Sequence, residues 1–159
     1  MQVAHADDVP PPQPTPDLHY TGDLDDDYVI LGPVGGAVRI EGAWDSAFGG
    51  EVGWLRLRER RALSMFGAAV GAVRYAARDG GRVWSEAMVG TRRAPGGFLI
   101  GLAAGPAVEL GTVQHPRIGF TSSVWVFAGV VPYVRAGVFD ESGTWVELGL
   151  ALELPVWRY

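Results

Sequence analysis

The sequence predicts an all-β protein: an eight-stranded antiparallel up-and-down transmembrane β-barrel that follows a disordered N-terminal tail. Two observations predict the barrel. From Gly35 onward, apolar residues alternate with polar or small ones over stretches of roughly 9 to 13 residues, separated by Gly, Pro, Asp and Ser turn signals. Every connection is also short enough for a hairpin, so neighbouring stretches are expected to pair antiparallel.

The composition limits the class of protein further. A chain of 159 residues suits one domain, and 48% hydrophobic residues with a mean hydropathy of +0.12 means that small and polar residues disperse the apolar ones. No run approaches the roughly 20 apolar residues that a membrane helix needs. The chain has no Cys, which excludes a disulfide framework and thiolate metal sites.

Charge separates the tail from the barrel. Residues 1–33 combine a proline run with seven Asp and no basic residue, so we expect a disordered Pro/Asp-rich tail, with the barrel at 34–159. Ala4 and Ala6 form a small-x-small site of the kind that signal peptidases cut, so residues 1–6 are either a signal-peptide remnant or a chance match in an Ala-rich chain. All basic residues are Arg, but they form no strong basic stripe, so we expect no nucleic-acid partner.

The first two strands are expected at residues 37–45 and 51–60, separated by a turn over residues 46–50. The first, AVRIEGAWD, alternates along its whole length. In the second, EVGWLRLRER, the alternation slips near Trp54 and Leu55, which indicates a bulge.

Six further strands complete the count. The third is rich in Gly and Ala, and the turn RDGG joins it to the fourth. The fifth contains Pro106, which removes a ladder hydrogen bond. The turn DESG leads into the last strand, where leucines occupy every second position. These strands are expected at residues 63–77, 82–93, 98–110, 117–127, 130–140 and 144–159.

Alternation alone fits both a soluble barrel with an apolar interior and a membrane barrel with an apolar exterior. The polar face carries mainly Gly, Ala and isolated charges of both signs, which suits a cramped interior in which charges must be paired. We therefore expect a lumenal ion-pair network, with scattered surface ion pairs as the alternative. Its members would be Arg39, Glu41, Arg56, Arg74, Glu86, Glu109, Arg117, Arg135, Glu147 and Glu153.

The opposite face is expected to contact lipid. Its representatives are Val134, Val138, Val146, Leu148, Leu150 and Leu152. Aromatic residues lie near the predicted strand ends, as in the girdles of membrane barrels. Strict alternation places Trp84, Trp125 and Trp145 on the lumenal face, so either the register slips there or these rings cap the barrel from inside.

The last two strands resemble a known family. VPYVRAGVF, a turn, and WVELGLALELP ending in Tyr159 are similar to the closing hairpin and C-terminal sorting signal of small eight-stranded bacterial outer-membrane barrels, the group of the OmpA transmembrane domain and OmpX. The resemblance covers residues 35–159 and rests on pattern. It implies an outer-membrane location with periplasmic termini, and recognition by the barrel-assembly machinery through Leu154, Trp157 and Tyr159. Pro155 departs from the family pattern because it shifts the phase of the last residues.

No chemistry stands out along the chain. The three histidines, His5, His19 and His115, have no metal-ligand spacing, and no phosphate-binding loop is present. We therefore expect no catalytic activity and no bound metal ion or cofactor. The expected function is a structural anchor or assembly component with at most a very narrow pore, in contact with the bilayer and, through its tail, with other envelope proteins.

Two alternatives stay open. The first is a soluble lipocalin-like barrel that binds an apolar ligand in a cavity lined by Val146, Leu148, Leu150 and Leu152. The second is one subunit of a larger oligomeric pore or tube.

Overall fold

Strand pairing closes the sheet on itself. The structure, a computed structural model, describes residues 26–58, 62–92, 98–111, 116–140 and 143–159. Its strands are β1 (Asp27–Ile40), β2 (Ala43–Leu57), β3 (Met65–Tyr75), β4 (Gly81–Thr91), β5 (Leu99–Leu110), β6 (Arg117–Phe127), β7 (Val131–Phe139), β8 (Gly143–Ala151) and β9 (Leu154–Arg158). Each pairs antiparallel with the next from β1 to β8, and β1 pairs with β8 and β9 as well. The sheet is therefore a closed up-and-down barrel.

β8 and β9 are consecutive parts of one barrel strand. β8 pairs with the second half of β1 and β9 with its first half, so the barrel has eight strands, as predicted. This architecture is consistent with the OmpX-like fold that the resemblance implied. The structure describes no helix that could cross a membrane. We call the end of the barrel that holds residues 26 and 159 the terminal end, and the opposite end the far end.

The first hairpin differs from the prediction. Its turn lies at Glu41 and Gly42, whose φ angles of 53° and 86° are those of a tight hairpin turn, and β2 runs straight through residues 46–50. β1 begins at Asp27, so residues 27–33, which were assigned to the tail, belong to the barrel. The predicted turn at residues 46–50 was therefore wrong, because these residues lie within β2, where a Cβ on Gly49 would collide with the Ala72 carbonyl of β3.

Gly32 and Pro33 of β1 lie opposite the break between β8 and β9. The backbone N–H of Leu152 donates to the Pro33 carbonyl at 3.1 Å, and a Cβ on Gly32 would collide with the Leu152 carbonyl. Proline is tolerated in a sheet at such an irregularity. A register shift opposite Val29 and Ile30 matches the phase shift predicted at Pro155. This irregular closure explains why the start of the barrel reads as a linker.

Glycines make room for aromatic rings inside the barrel. Trp84 lies opposite Gly71 in the register, and a Cβ on that glycine would collide with the indole ring. Three other cross-strand pairs repeat this arrangement: Trp125 with Gly101, Trp145 with Gly137, and Tyr133 with Gly149. The register does not slip at the three tryptophans, so their rings lie inside the barrel.

We predict that Gly71→Ala lowers the free energy of unfolding by about 1 to 3 kcal/mol, because its methyl group overpacks the interior against Trp84. Gly50→Ala is the matched control, since Gly50 is exposed on the outer face and a Cβ there has no contact shorter than 3.5 Å. Urea unfolding of the refolded barrel measures both variants. Equal stability of the two would contradict the ring-over-glycine packing.

Candidate functional site: the barrel interior and its outer face

The outer face of the barrel is apolar. The residues predicted to contact lipid, Val134, Val138, Val146, Leu148, Leu150 and Leu152, all lie on the outside and are between 40% and 58% exposed. Four of these were the expected lining of the lipocalin-like alternative, and that expectation was wrong, because their side chains point away from the interior.

Charged side chains point toward this outer face only near the strand ends. Arg39 and Arg74 point outward one residue before the far ends of β1 and β3, and Arg56 points outward at the terminal end, where its Nε lies 3.9 Å from an Asp27 carboxylate oxygen. The prediction that these three arginines are lumenal was wrong. A charge near a strand end reaches past the apolar band, so charge alone does not mark the inner face. Between these ends, no charged residue of the described strands points outward.

A first group of ion pairs lies at the far end of the barrel. Arg117 donates from Nε to Glu109 Oε2 at 2.7 Å and from Nη1 to Glu41 Oε1 at 2.8 Å. The hydrogen bond from Arg117 keeps the pKa of Glu41, in the turn outside the strands, below its ordinary value. The structure thus brings together three of the predicted network residues.

A second group crosses the lumen. Arg82 on β4 pairs with Glu147 on β8, and both side chains are fully buried. The Tyr133 hydroxyl donates to the other carboxylate oxygen of Glu147 at 2.7 Å. Arg82 was missing from the predicted network, although it shares the phase of Trp84 and Glu86 in the same strand and alternation could have identified it.

A third group links three strands. Arg135 Nη2 lies 3.2 Å from Glu86 Oε2 and 3.4 Å from Glu51 Oε2. Glu51 also accepts a hydrogen bond from Trp84 Nε1 at 3.0 Å, and Glu86 accepts one from Ser123 at 3.4 Å. Sequence reasoning missed Glu51 because it lies next to the wrongly placed turn. Glu86, Glu109, Arg117, Arg135 and Glu147 of the predicted network thus lie inside the barrel.

Guanidinium groups alternate with aromatic rings along the lumen. Arg135 Cζ lies 4.3 Å from the centroid of the Trp84 ring, and Arg82 Cζ lies 3.7 Å from that of Trp145. The Trp145 ring stacks on Phe139 with centroids 5.8 Å apart. Such contacts stabilise desolvated cations. We call these five side chains the arginine–aromatic column; with the surrounding buried residues, it fills the far half of the interior.

The terminal half contains a cavity of about 600 Å³. Its walls are mainly apolar and include Tyr28, Leu55, Met65, Met88, Trp125 and Val131. Its floor is formed by Glu51, Glu86 and Arg135, where the column begins. Glu153, the last predicted network residue, lines the cavity on the side of Glu51 and has no ion pair within the described part of the chain.

Neither a metal site among the described residues nor a similarity to another protein indicates the function. Within the described ranges, no cluster of three or more His, Asp or Glu could hold a metal ion, and all three histidines lie outside those ranges. The chain matches no protein-family model, and comparisons with curated proteins and with solved structures found no match either. Its function is therefore inferred from the barrel itself.

We predict that Arg82→Met lowers the free energy of unfolding by about 3 to 5 kcal/mol, because it leaves the buried Glu147 carboxylate without its cation. The double variant Arg82→Met with Glu147→Leu should recover most of that loss, since no buried charge then remains. Arg74→Met, on the outer face, is the control and should change stability little. A double variant no more stable than Arg82→Met alone would contradict this account of the pair. Urea titrations in vesicles measure all three.

Proposed function

We propose that this protein is an integral outer-membrane β-barrel that acts as a structural anchor or assembly component, with both termini in the periplasm. The observation that carries the proposal is the outer face, which is apolar around a closed barrel and free of charge between the strand ends. A monomer in water rarely exposes a continuous apolar surface of this extent. In a bilayer the same surface is favourable, and a closed barrel leaves no backbone group without a hydrogen-bond partner.

Strand length and aromatic placement agree with a membrane span. The barrel strands β1 to β8 contain 9 to 15 residues, and about 9 to 11 tilted residues suffice to cross the hydrocarbon core. On the outer face of β2, Trp44 lies near the far end and Trp54 near the terminal end, where its ring meets Phe66 edge-on at 5.8 Å. Aromatic rings at both levels suit the two membrane interfaces.

The filled far half supports an anchor rather than a porin. The arginine–aromatic column and its ion pairs occupy the lumen where a channel would have to pass, which leaves at most a very narrow pore. We assign no catalytic role, since the buried carboxylates are each paired with a guanidinium group.

The C-terminal residues support recognition by the barrel-assembly machinery. Leu154, Trp157 and Tyr159 are each more than 60% exposed, and the two aromatic rings lie 5.9 Å apart. The backbone N–H of Tyr159 donates to the Asp27 carbonyl, so the segment is held at the seam where the barrel closes. The tail that precedes β1 would meet other envelope proteins in the periplasm.

The alternatives fit the barrel less well. A soluble barrel would have to hide its apolar outer face, although the internal cavity suits the ligand that such a barrel would carry. A subunit that lends strands to a larger pore needs a long free sheet edge, whereas β1 to β8 are each paired on both sides and, among the described strands, only the five-residue β9 is paired on one side.

We predict that Leu148→Arg destabilises the barrel in a bilayer by about 2 to 4 kcal/mol, because it places a cation near the middle of the apolar band. Thr144→Arg is the matched control on the same face of β8 near the far end, and it should cost only about 0 to 1 kcal/mol. Unfolding in lipid vesicles measures both. Equal effects, or a more soluble Leu148→Arg protein that needs no lipid, would overturn the membrane assignment.

We also predict that the native protein is extracted from membranes only with detergent and migrates differently in electrophoresis before and after boiling. A closed barrel stays folded in detergent at low temperature, because β1 to β8 are each hydrogen-bonded to strands on both sides. A protein that stays in solution without detergent would contradict the proposal.

A further inference from the structure

We propose that the cavity in the terminal half of the barrel binds an uncharged amphiphile, a molecule with an apolar chain and one hydroxyl or carbonyl group. This goes beyond the anchor role, because an anchor needs no internal cavity. The inference rests on three features of the cavity: its walls, its unpartnered polar atoms, and its charge.

The walls leave space that the fold does not require. A barrel of eight strands is just wide enough for side chains to fill it, and here the far half is filled while the terminal half holds about 600 Å³. This volume falls within the range of about 300 to 1,000 Å³ typical of small-molecule sites. Ala103 and Ala151 are buried wall residues at positions where larger side chains would close the space. An apolar chain would gain contacts with the walls that the empty cavity lacks.

Polar atoms in the wall and at the floor of the cavity lack partners. Among the described residues, Trp125 Nε1, Arg135 Nε and Nη1, and Glu86 Oε1 are buried and have no hydrogen-bond partner. All three residues line the cavity and are at most 8% exposed. Tyr75, Arg82 and Trp145 also carry unpartnered atoms, but they lie in the packed far half, whereas Trp125, Arg135 and Glu86 line open space that a ligand could enter. Three of the four atoms are donors, so the missing group is mainly an acceptor oxygen.

The charged side chains at the cavity floor favour a ligand whose polar group is uncharged. Two carboxylates, Glu51 and Glu86, share the single guanidinium of Arg135. Behind them, Arg82 and Glu147 balance each other. With Glu153, three carboxylates already line the cavity, so a carboxylate ligand would add a further negative charge in a desolvated site, which is unfavourable. A quaternary ammonium group offers no acceptor to the free donors. A hydroxyl or carbonyl oxygen meets both conditions.

The mouth fits the same kind of molecule. It lies at the terminal end, where Tyr28, Phe98 and Phe127 line it with Arg92. An apolar chain could extend from the floor past these rings, with only its end near the polar rim. The polar group would thus reach the floor first, and the chain would follow the walls toward the mouth.

Methyl NMR of methionine tests the proposal directly. The chain has three methionines, of which Met65 and Met88 line the cavity and Met1 lies in the tail as an internal reference. The folded protein, carrying ¹³C-methyl methionine in lipid nanodiscs, is titrated with dodecanol, dodecanoate or dodecyltrimethylammonium. We expect saturable shifts of Met65 and Met88 with dodecanol, an unchanged Met1, and weaker responses to the two charged probes.

Matched variants separate cavity binding from partition into the bilayer. Ala103→Phe fills the cavity and should weaken dodecanol binding about tenfold or more, whereas Ala87→Phe adds the same ring to the outer face of β4 and should leave it unchanged. Trp125→Phe removes one donor, so it should weaken binding of dodecanol but not of dodecane. Heat-shifted electrophoresis checks that each variant is folded, and Ala151→Leu replaces Ala103→Phe if that variant does not fold.

The proposal is overturned if the wild-type methionine signals show no saturable shift, or if the cavity-filling variant responds like wild type. It is also overturned if dodecanoate or dodecyltrimethylammonium binds more tightly than dodecanol. A protein that proves soluble can be titrated in buffer with the same probes, so failure of the membrane assignment and failure of the cavity proposal give different results.

Discussion

The structure depends on one electrostatic constraint: a charged side chain that a strand turns inward is stable there only when it meets an opposite charge. Arg82 on β4 meets Glu147 on β8, and Arg135 on β7 meets Glu51 and Glu86 on β2 and β4. These contacts join walls that are not neighbours in the sheet. A register slip of one residue would turn such charges toward the apolar surroundings and separate them from their partners. The ion pairs therefore specify the register, and the apolar outer face follows from it.

The same constraint divides the interior into two unlike halves. In the far half, rings and guanidinium groups stack because each is flanked by a strand that carries glycine where the ring lies, as Gly71 does beneath Trp84 and Gly137 beneath Trp145. In the terminal half, Trp125 lies over Gly101 in the same way, but the small side chains of Ala103 and Ala151 line open space, and a cavity remains. In the terminal half, the barrel wall is therefore mainly apolar on both its inner and its outer face. In the far half, the interior is charged and packed.

Much of this arrangement could be predicted from residue alternation, and the failures have physical causes. Alternation correctly separates buried Glu147 from exposed Leu148, because a regular strand alternates side chains strictly. Alternation failed in the first hairpin, because the Gly and Pro residues that accommodate the closure of the barrel there resemble a linker in composition. It misplaced Arg39 and Arg74 because the pattern does not show how far along the strand the apolar band extends. The cavity could not be predicted, since it depends on which side chains meet across the lumen.

The end of the barrel that stays open is also the end where the chain enters and leaves. Asp26 pairs with Arg158 and Asp27 lies within reach of Arg56, so the start of β1 is tied to the rim of the terminal end by opposite charges. These contacts hold residues 26 and 158 at the same end of the barrel as the cavity mouth. In the proposed topology that side is the periplasm, whereas the filled far half faces the exterior. A molecule could then reach the cavity from the periplasm without crossing the packed column, so the anchor and the binding site require the same orientation of the barrel.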